Sequence, residues 1–317
     1  MVICIIQICI RGIIMKKRVF VVLALMMGIM TSCARLASDM QDPPPQYELR
    51  CGYIDKTGAF VIEPKFRYAM EFRYDLAAVS VNEAHDLKWG YIDSTGKYII
   101  EPKFSDCGDF SENGLAPVSI YDKSGSENTE KWGYIDKAGS FVIEPQYKWA
   151  GIFCAGLAPA SIEKDGKELY GYIDQNGSFV IEPEFDDACE FAENGLAAVR
   201  MGGEYGVGKY GYIDKSGKFV IVPQFKSAGS FDENGLADVT FGDEDDESFA
   251  VIDEIGEIKG GGRMREEEDL RIISTDSGQG YENKDGVTVI EPRFVWAGHF
   301  SENGLAPVEV KVYEETS

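Results

Sequence analysis

From residue 51 onward the chain repeats a single alternation of apolar and polar positions, and its clearest copy is Trp89 to Val118, WGYIDSTGKYIIEPKFSDCGDFSENGLAPV. A short apolar run is followed by a polar turn, a second apolar run ending at proline, a connector with aromatics every three residues, and a third apolar run. The glycine that opens the unit, or the residue in its place, falls at Gly52, Gly90, Gly133, Gly171, Gly211, Ala250 and Gly280, in steps of 38, 43, 38, 40, 39 and 30 residues. Periods of this size are the signature of a repeat architecture.

Each segment of the unit predicts an element. The turn has the form Asp/Asn-x-x-Gly in all seven copies, as in Asp93 to Gly96 and Asp136 to Gly139, the composition of a type I turn closed by a left-handed residue. The β-type runs on either side of it predict a hairpin. The second run ends in proline (Pro64, Pro102), which cannot donate to a ladder. In the connector, Phe66, Phe104 and Tyr147 are each followed three residues later by Ala69, Cys107 or Ala150. That spacing predicts one helical or 3₁₀ turn. Asn-Gly-Leu-Ala then turns into the third strand at Asn113, Asn194, Asn234 and Asn303.

One such unit cannot bury its apolar face alone, so neighbours must stack. The expectation is an all-β chain of about seven three-stranded units, stacked as an open, solenoid-like array. The alternative is a closed, seven-bladed, propeller-like ring. The order of segments admits it, because the chain begins at a second-strand segment near Cys51 and ends on a first-strand one, Leu305 to Tyr313.

The sequence ahead of the repeats has a different organisation. Met15 opens a basic MKKR stretch, Val19 to Met30 is apolar, and Thr31-Ser32-Cys33 ends it. The apolar run is too short for a membrane span. Residues 15 to 32 resemble a bacterial lipoprotein signal peptide, and the resemblance implies that Cys33 is lipidated and becomes the mature N-terminus. Residues 1 to 14 are expected to be an extension of the gene model. Residues 34 to 49, with Pro43-Pro44-Pro45, read as a flexible tether, residues 50 to 312 as the repeat domain, and 313 to 317 as a tail.

Charge narrows the partners. The chain carries 31 basic and 54 acidic side chains, a net charge of −23. All four basic residues of the leader (Arg11, Lys16, Lys17, Arg18) would be lost with it, leaving the mature chain near −27. Such a chain is not built to neutralise phosphate, so nucleic acid is excluded and a cationic partner is favoured. Cys51, Cys107, Cys154 and Cys189 fall at different phases of the repeat, so they form no matched ladder and read chiefly as small buried side chains, with adventitious pairing left open.

No catalytic or metal motif is recognisable, and no cofactor is expected. The two histidines, His85 and His299, are isolated in the sequence. The recurrent acids are scaffold: Asp93 and Asp136 are turn residues, and Glu63, Glu101, Glu144, Glu182 and Glu291 share one repeat phase. The sixth unit, about 250 to 279, is degenerate and lies between two acidic runs, Gly242 to Ser248 and Glu266 to Asp269. These read as a solvated loop, with a cation or basic-partner site as the functional alternative.

The pattern aromatic-Gly-Tyr-Ile-Asp-x-x-Gly, followed by Ile-Ile-x-Pro-x-Phe and Asn-Gly-Leu-Ala, resembles the WG (KWG) repeat of bacterial proteins. Trp89-Gly90 and Trp132-Gly133 match it fully. The resemblance implies a β-repeat scaffold and partner binding, with no catalytic residue to carry over. Trp89, Gly90, Asp93, Gly96, Trp132, Gly133, Asp136 and Gly139 are then scaffold, and Trp149 and Trp296, in the connectors, are the candidate ligand contacts. The functional expectation is a lipid-anchored protein of the cell envelope, at an outer membrane or cell surface, acting as a non-catalytic binding or scaffolding module for protein or glycan. A glycan hydrolase and a purely structural surface protein are the alternatives.

Overall fold

The computed structural model describes residues 47–83, 86–122, 129–202, 208–242, 248–260 and 270–313. The expected signal peptide, Cys33, most of the tether, His85, most of the first acidic run, all of the second and residues 314–317 of the tail lie outside them. The chain divides into a repeat body, Leu49–Val312, and a small unit made of the chain ends. In that small unit the rings of Tyr47 and Tyr313 meet edge to face, 5.9 Å apart.

The repeat body is all-β, as its patterning requires, and consists of seven small antiparallel sheets. The second sheet shows the plan. Tyr68–Ala69, Ala77–Glu83, Asp86–Ile92 and Tyr98–Phe104 lie side by side in that order. The three longer strands are those expected of the unit; the fourth is the connector, where no helical turn forms. Its amides bond outward, Arg67 N to Ser80 O at 2.8 Å and Met70 N to Ala78 O at 2.9 Å. The backbone thereby gains partners on the next long strand that a single helical turn would leave to water.

Glycine in the Trp-Gly pair has a steric cause. Trp89 pairs with Phe104 and Tyr91 with Ile100, so the three residues Glu101, Pro102 and Lys103 bulge opposite Gly90 alone. A Cβ on Gly90 would stand 2.5 Å from Ile100 O and 2.7 Å from Pro102 N. The bulge also houses the proline, whose missing donor would interrupt a regular ladder. Gly133 faces the same kind of bulge, and a Cβ there would stand 2.5 Å from Ile143 O. At the hairpin turn, Asp93 Oδ1 accepts from Thr95 N (2.9 Å) and Lys97 N (3.1 Å), and Gly96 takes φ of 80°. Asp136 and Gly139 repeat the arrangement.

Successive sheets are fastened by two contacts. The Tyr91 hydroxyl donates to Gly108 O of the third sheet at 2.7 Å, with its ring against Phe110 at 4.9 Å. The Ile100 side chain lies against Gly139 of the next hairpin turn. The tyrosine contact recurs at Tyr53, Tyr134, Tyr172, Tyr212 and Tyr281, always to a carbonyl 17 residues on.

The last of these closes the array. Tyr281, in the seventh sheet, reaches Gly298 O of the first; Ile290 packs on Gly58, and Arg293 Nη2 donates to Gly58 O at 2.6 Å. The first sheet itself joins both ends of the repeat body, in the order Phe60–Phe66, Tyr47–Ile54, Ala306–Tyr313, Trp296–Ala297. Of the two arrangements the sequence allows, this is the closed ring; an open array would leave those strands unpaired at opposite ends. The structural reason is the permuted strand order, which gives each end half of one sheet.

One junction lacks the fastenings. Between the sixth sheet (Ser227–Ala228, Leu236–Phe241, Ser248–Asp253, Ile258–Gly260) and the seventh (Leu270–Thr275, Gly278–Asn283, Thr288–Phe294), the tyrosine is replaced by Val251 and the isoleucine by Gly260. Among the described residues no side chain comes within 4 Å of a Cβ built on Gly286. Among the described residues the seventh sheet has three strands, and no core cluster spans this junction.

Candidate binding face

The two tryptophans singled out from the sequence occupy one repeat phase. Each opens the two-residue connector strand, two positions after the aromatic that ends the preceding strand. The same phase holds Trp296 in the first sheet, then Tyr68, Asp106, Trp149, Asp187 and Ser227 in the second to sixth. Trp296 and Tyr68 are each 44% exposed, and Trp149 is half-buried. Tyr68 was not singled out from the sequence, although lining up the connectors column by column exposes it.

Tyr68, Trp149 and Asp187 each meet the aromatic that opens the next unit. Tyr68 stacks on Trp89 with ring centroids 6.3 Å apart and planes 16° apart, and the Arg67 guanidinium lies over the Tyr68 ring, 4.9 Å from its centroid. Trp149 is tilted against Tyr170 at 5.8 Å. The Tyr210 hydroxyl donates to Asp187. Trp89 and Trp132 are buried in the sheet, each cross-strand from a buried serine, Ser80 and Ser119.

Polar groups around the tryptophans are already bonded. Ser161 Oγ donates to Glu168 at 2.7 Å, Tyr170 to the same oxygen at 3.1 Å, and Lys148 pairs with Glu168 at 3.2 Å. Burial alone would push the Glu168 carboxyl up, but these donors outweigh it and hold it below the ordinary carboxylate range. Burial and then the neighbouring Glu168 charge raise the Tyr170 hydroxyl to about 12. Burial likewise raises Asp106, with the Glu130 charge adding to it. The phase therefore presents aromatic faces with carboxyl groups between them.

The inner connectors gather a second set of acids. Asp109 stands 3.8 Å from Arg73, and its Oδ1 is buried without a hydrogen-bond partner; burial pushes its carboxyl up and the Arg73 charge opposes this. His299 N donates to Glu71 at 3.1 Å. A hollow of about 290 Å³ lies among Glu71, Arg73, Tyr74, Phe300 and Glu302. Among the described residues no group of three or more His, Cys, Asp or Glu side chains is placed to hold a metal ion. The four cysteines of the repeat body are free thiols.

With this geometry in place, the comparisons with known proteins can be stated. The model of the WG containing repeat matches residues 52–83, 89–123, 132–167, 170–205, 210–244 and 280–311. The chain belongs to that family. The unmatched stretch between 244 and 280 is the degenerate sixth unit, and it coincides with the junction that lacks fastenings. No curated protein matches the sequence. Among solved structures, TolB from Acinetobacter baumannii is similar with a TM-score of 0.41 and 9% identity over 74% of this chain and 69% of that one. An acylaminoacyl peptidase from Pyrococcus horikoshii gives 0.46 and 11% identity over 75% of this chain and 48% of that one. Likenesses this loose carry no part of the reading that follows.

Proposed function

We infer that this WG-repeat chain is a non-catalytic binding or scaffolding module of the bacterial cell envelope, anchored through lipid on Cys33 and displayed at an outer membrane or cell surface. Its partner is a protein or a glycan. The observation that carries the reading is the repeat phase with Tyr68, Trp149 and Trp296 open to solvent to different degrees and Asp106 and Asp187 between them. Aromatic faces with polar edges suit ligands that have both an apolar and a wet side. Distribution over several sheets makes contact multivalent, so weak sites add up to useful avidity.

The test is retention from the organism's solubilised envelope on residues 34 to 317, immobilised through the C-terminus, with mass spectrometry and glycan analysis of what is held. The expected result is a specific protein or glycan that is lost when Trp149 and Trp296 are both changed to Ala. Retention no greater than on a charge-matched control would overturn the reading. The anchor is tested separately: a Cys33→Ala chain should leave the membrane fraction, and its persistence there would count against lipid on Cys33.

A further inference from the structure

We propose that the face of the sixth sheet that looks toward the seventh is a docking site for a basic protein segment with an apolar anchor residue. The inference rests on the reading of the chain as a binding module and gives it a second site, away from Trp149 and Trp296.

In the second sheet, the equivalent face is buried against its neighbour through Ala78, Trp89, Tyr91 and Ile100. The corresponding residues of the sixth sheet are Asp238, Phe249, Val251 and Gly260, as the strand pairing shows. An alanine has become an acid, and the tyrosine and isoleucine have shrunk. Phe249 keeps its aromatic ring yet is 70% exposed, whereas Trp89 in the same position is 7% exposed. The covering side chain is also missing, because Ser227 stands where the fourth sheet has Trp149 and the first has Trp296.

What remains is an apolar groove of about 520 Å³ lined by Ala228, Val239, Phe249 and Ala250. Ser227 and Thr240, the two hydroxyls in the lining, bond to each other at 2.6 Å. Apart from this hydroxyl pair and Asp238 the lining is apolar or glycine, so it suits an aliphatic or aromatic side chain. The rim is acidic: Asp238 is exposed, and in the nearby turn Lys259 is already paired with Asp253 (2.6 Å) and Glu257 (3.0 Å). A second copy of a chain with a net charge of −23 would be repelled here, whereas Lys or Arg flanking the anchor would be attracted.

The experiment uses the full chain and three fluorescein-labelled 12-residue peptides: lysine alternating with leucine and phenylalanine, the same peptide with glutamate for lysine, and the same with serine for the apolar residues. The lysine and apolar peptide should bind at least tenfold more tightly than either control. Phe249→Ser and, independently, Ser227→Trp should each weaken it at least tenfold. Ser227→Trp restores the cover found in other sheets and leaves every charge in place, so it separates groove binding from attraction to an acidic surface. The chain with Trp149→Ala and Trp296→Ala should bind the peptide as wild type does. Unchanged affinity in Ser227→Trp, or equal binding of a control peptide, overturns the proposal while leaving the envelope-retention result standing. Failure of the envelope test alone removes the Trp149 and Trp296 site and not this one.

Discussion

A Cβ at Gly90 is the most direct probe of the bulge that defines the repeat. All three atoms it would meet are backbone: Ile100 O at 2.5 Å, Pro102 N at 2.7 Å and Glu101 C at 2.9 Å. Swinging a side chain aside cannot relieve such contacts, so the Asp86–Ile92 and Tyr98–Phe104 strands must separate by several tenths of an ångström. Overpacking of this kind costs about 1–3 kcal/mol, and weakening one flanking ladder bond adds about 1 kcal/mol. Gly90→Ala is therefore expected to destabilise the repeat body by roughly 3 kcal/mol, a fall of roughly 6 °C in Tm for a domain of this size. The sixth unit supplies the control, since Ala250 already occupies that place where the outer strand ends at Gly260. There Ala250→Gly should bring no relief and cost about 0.5–1 kcal/mol through the entropy of glycine in a strand. Urea and thermal unfolding of both variants would check this. A Gly90→Ala chain within 0.5 kcal/mol of wild type, or an Ala250→Gly chain more stable than wild type, would refute the steric account.

Further outcomes follow from the same geometry. Tyr91→Phe removes the donor to Gly108 O, a 2.7 Å bond from a side chain that is 1% exposed; the stranded carbonyl should cost about 1–2 kcal/mol, measured by urea unfolding. Asp109 is held up by burial, so its ionisation opposes folding above its raised pKa, and the opposition fades as pH falls toward its ordinary value of 3.8. Asp109→Asn should then stabilise the chain by about 1 kcal/mol or less at pH 7 and by nothing at pH 3. The turn acids behave in the opposite sense. Asp55 and Asp93 are held down by hydrogen bonds from Thr57 and Thr95, so their contribution is present above pH 3.8 and lost as pH falls below it. Burial raises Cys51 to about 11 and Cys189 to about 12, and it pushes up Cys107 as well. A thiol-disulfide dye at pH 8 should accordingly react far more slowly with these three in the native chain than in urea.

Much of the unit was legible because its constraints are local. Asp93 and Gly96 encode a turn that closes on its own backbone, and Gly90 with Pro102 encodes a bulge within one hairpin. Trp89 and Trp132 read as scaffold for the same reason: they sit beside a glycine on a strand. Elements formed between units were harder to read. Tyr68–Ala69 is only two residues long and pairs with the third strand of its own unit, in the sheet which that strand shares with the following unit, so the three-residue spacing of Phe66, Ala69 and Phe72 imitates a helical turn. Ring closure depends on Ile290 and Arg293 meeting Gly58, more than 200 positions away in the chain, and no short-range pattern reports that. The break in the sixth unit was visible, but its consequence was not. That Phe249 is bare follows only from seeing Ser227 in the place of Trp149, together with Val251 and Gly260 in place of the two fastenings.

The closed ring is the claim on which the rest depends, and one crosslink tests it. Glu71 and His299 are 228 positions apart in sequence, yet a Glu71 carboxylate oxygen lies 3.1 Å from His299 N. With Cys51, Cys107, Cys154 and Cys189 changed to Ala, a Glu71→Cys, His299→Cys chain treated with a short thiol-specific crosslinker should give an intramolecular product under native conditions and none in urea. Near-complete conversion to a faster-migrating monomer on a denaturing gel is the result the account predicts. A native chain that stays uncrosslinked, while both thiols react readily with a monofunctional reagent, would contradict it.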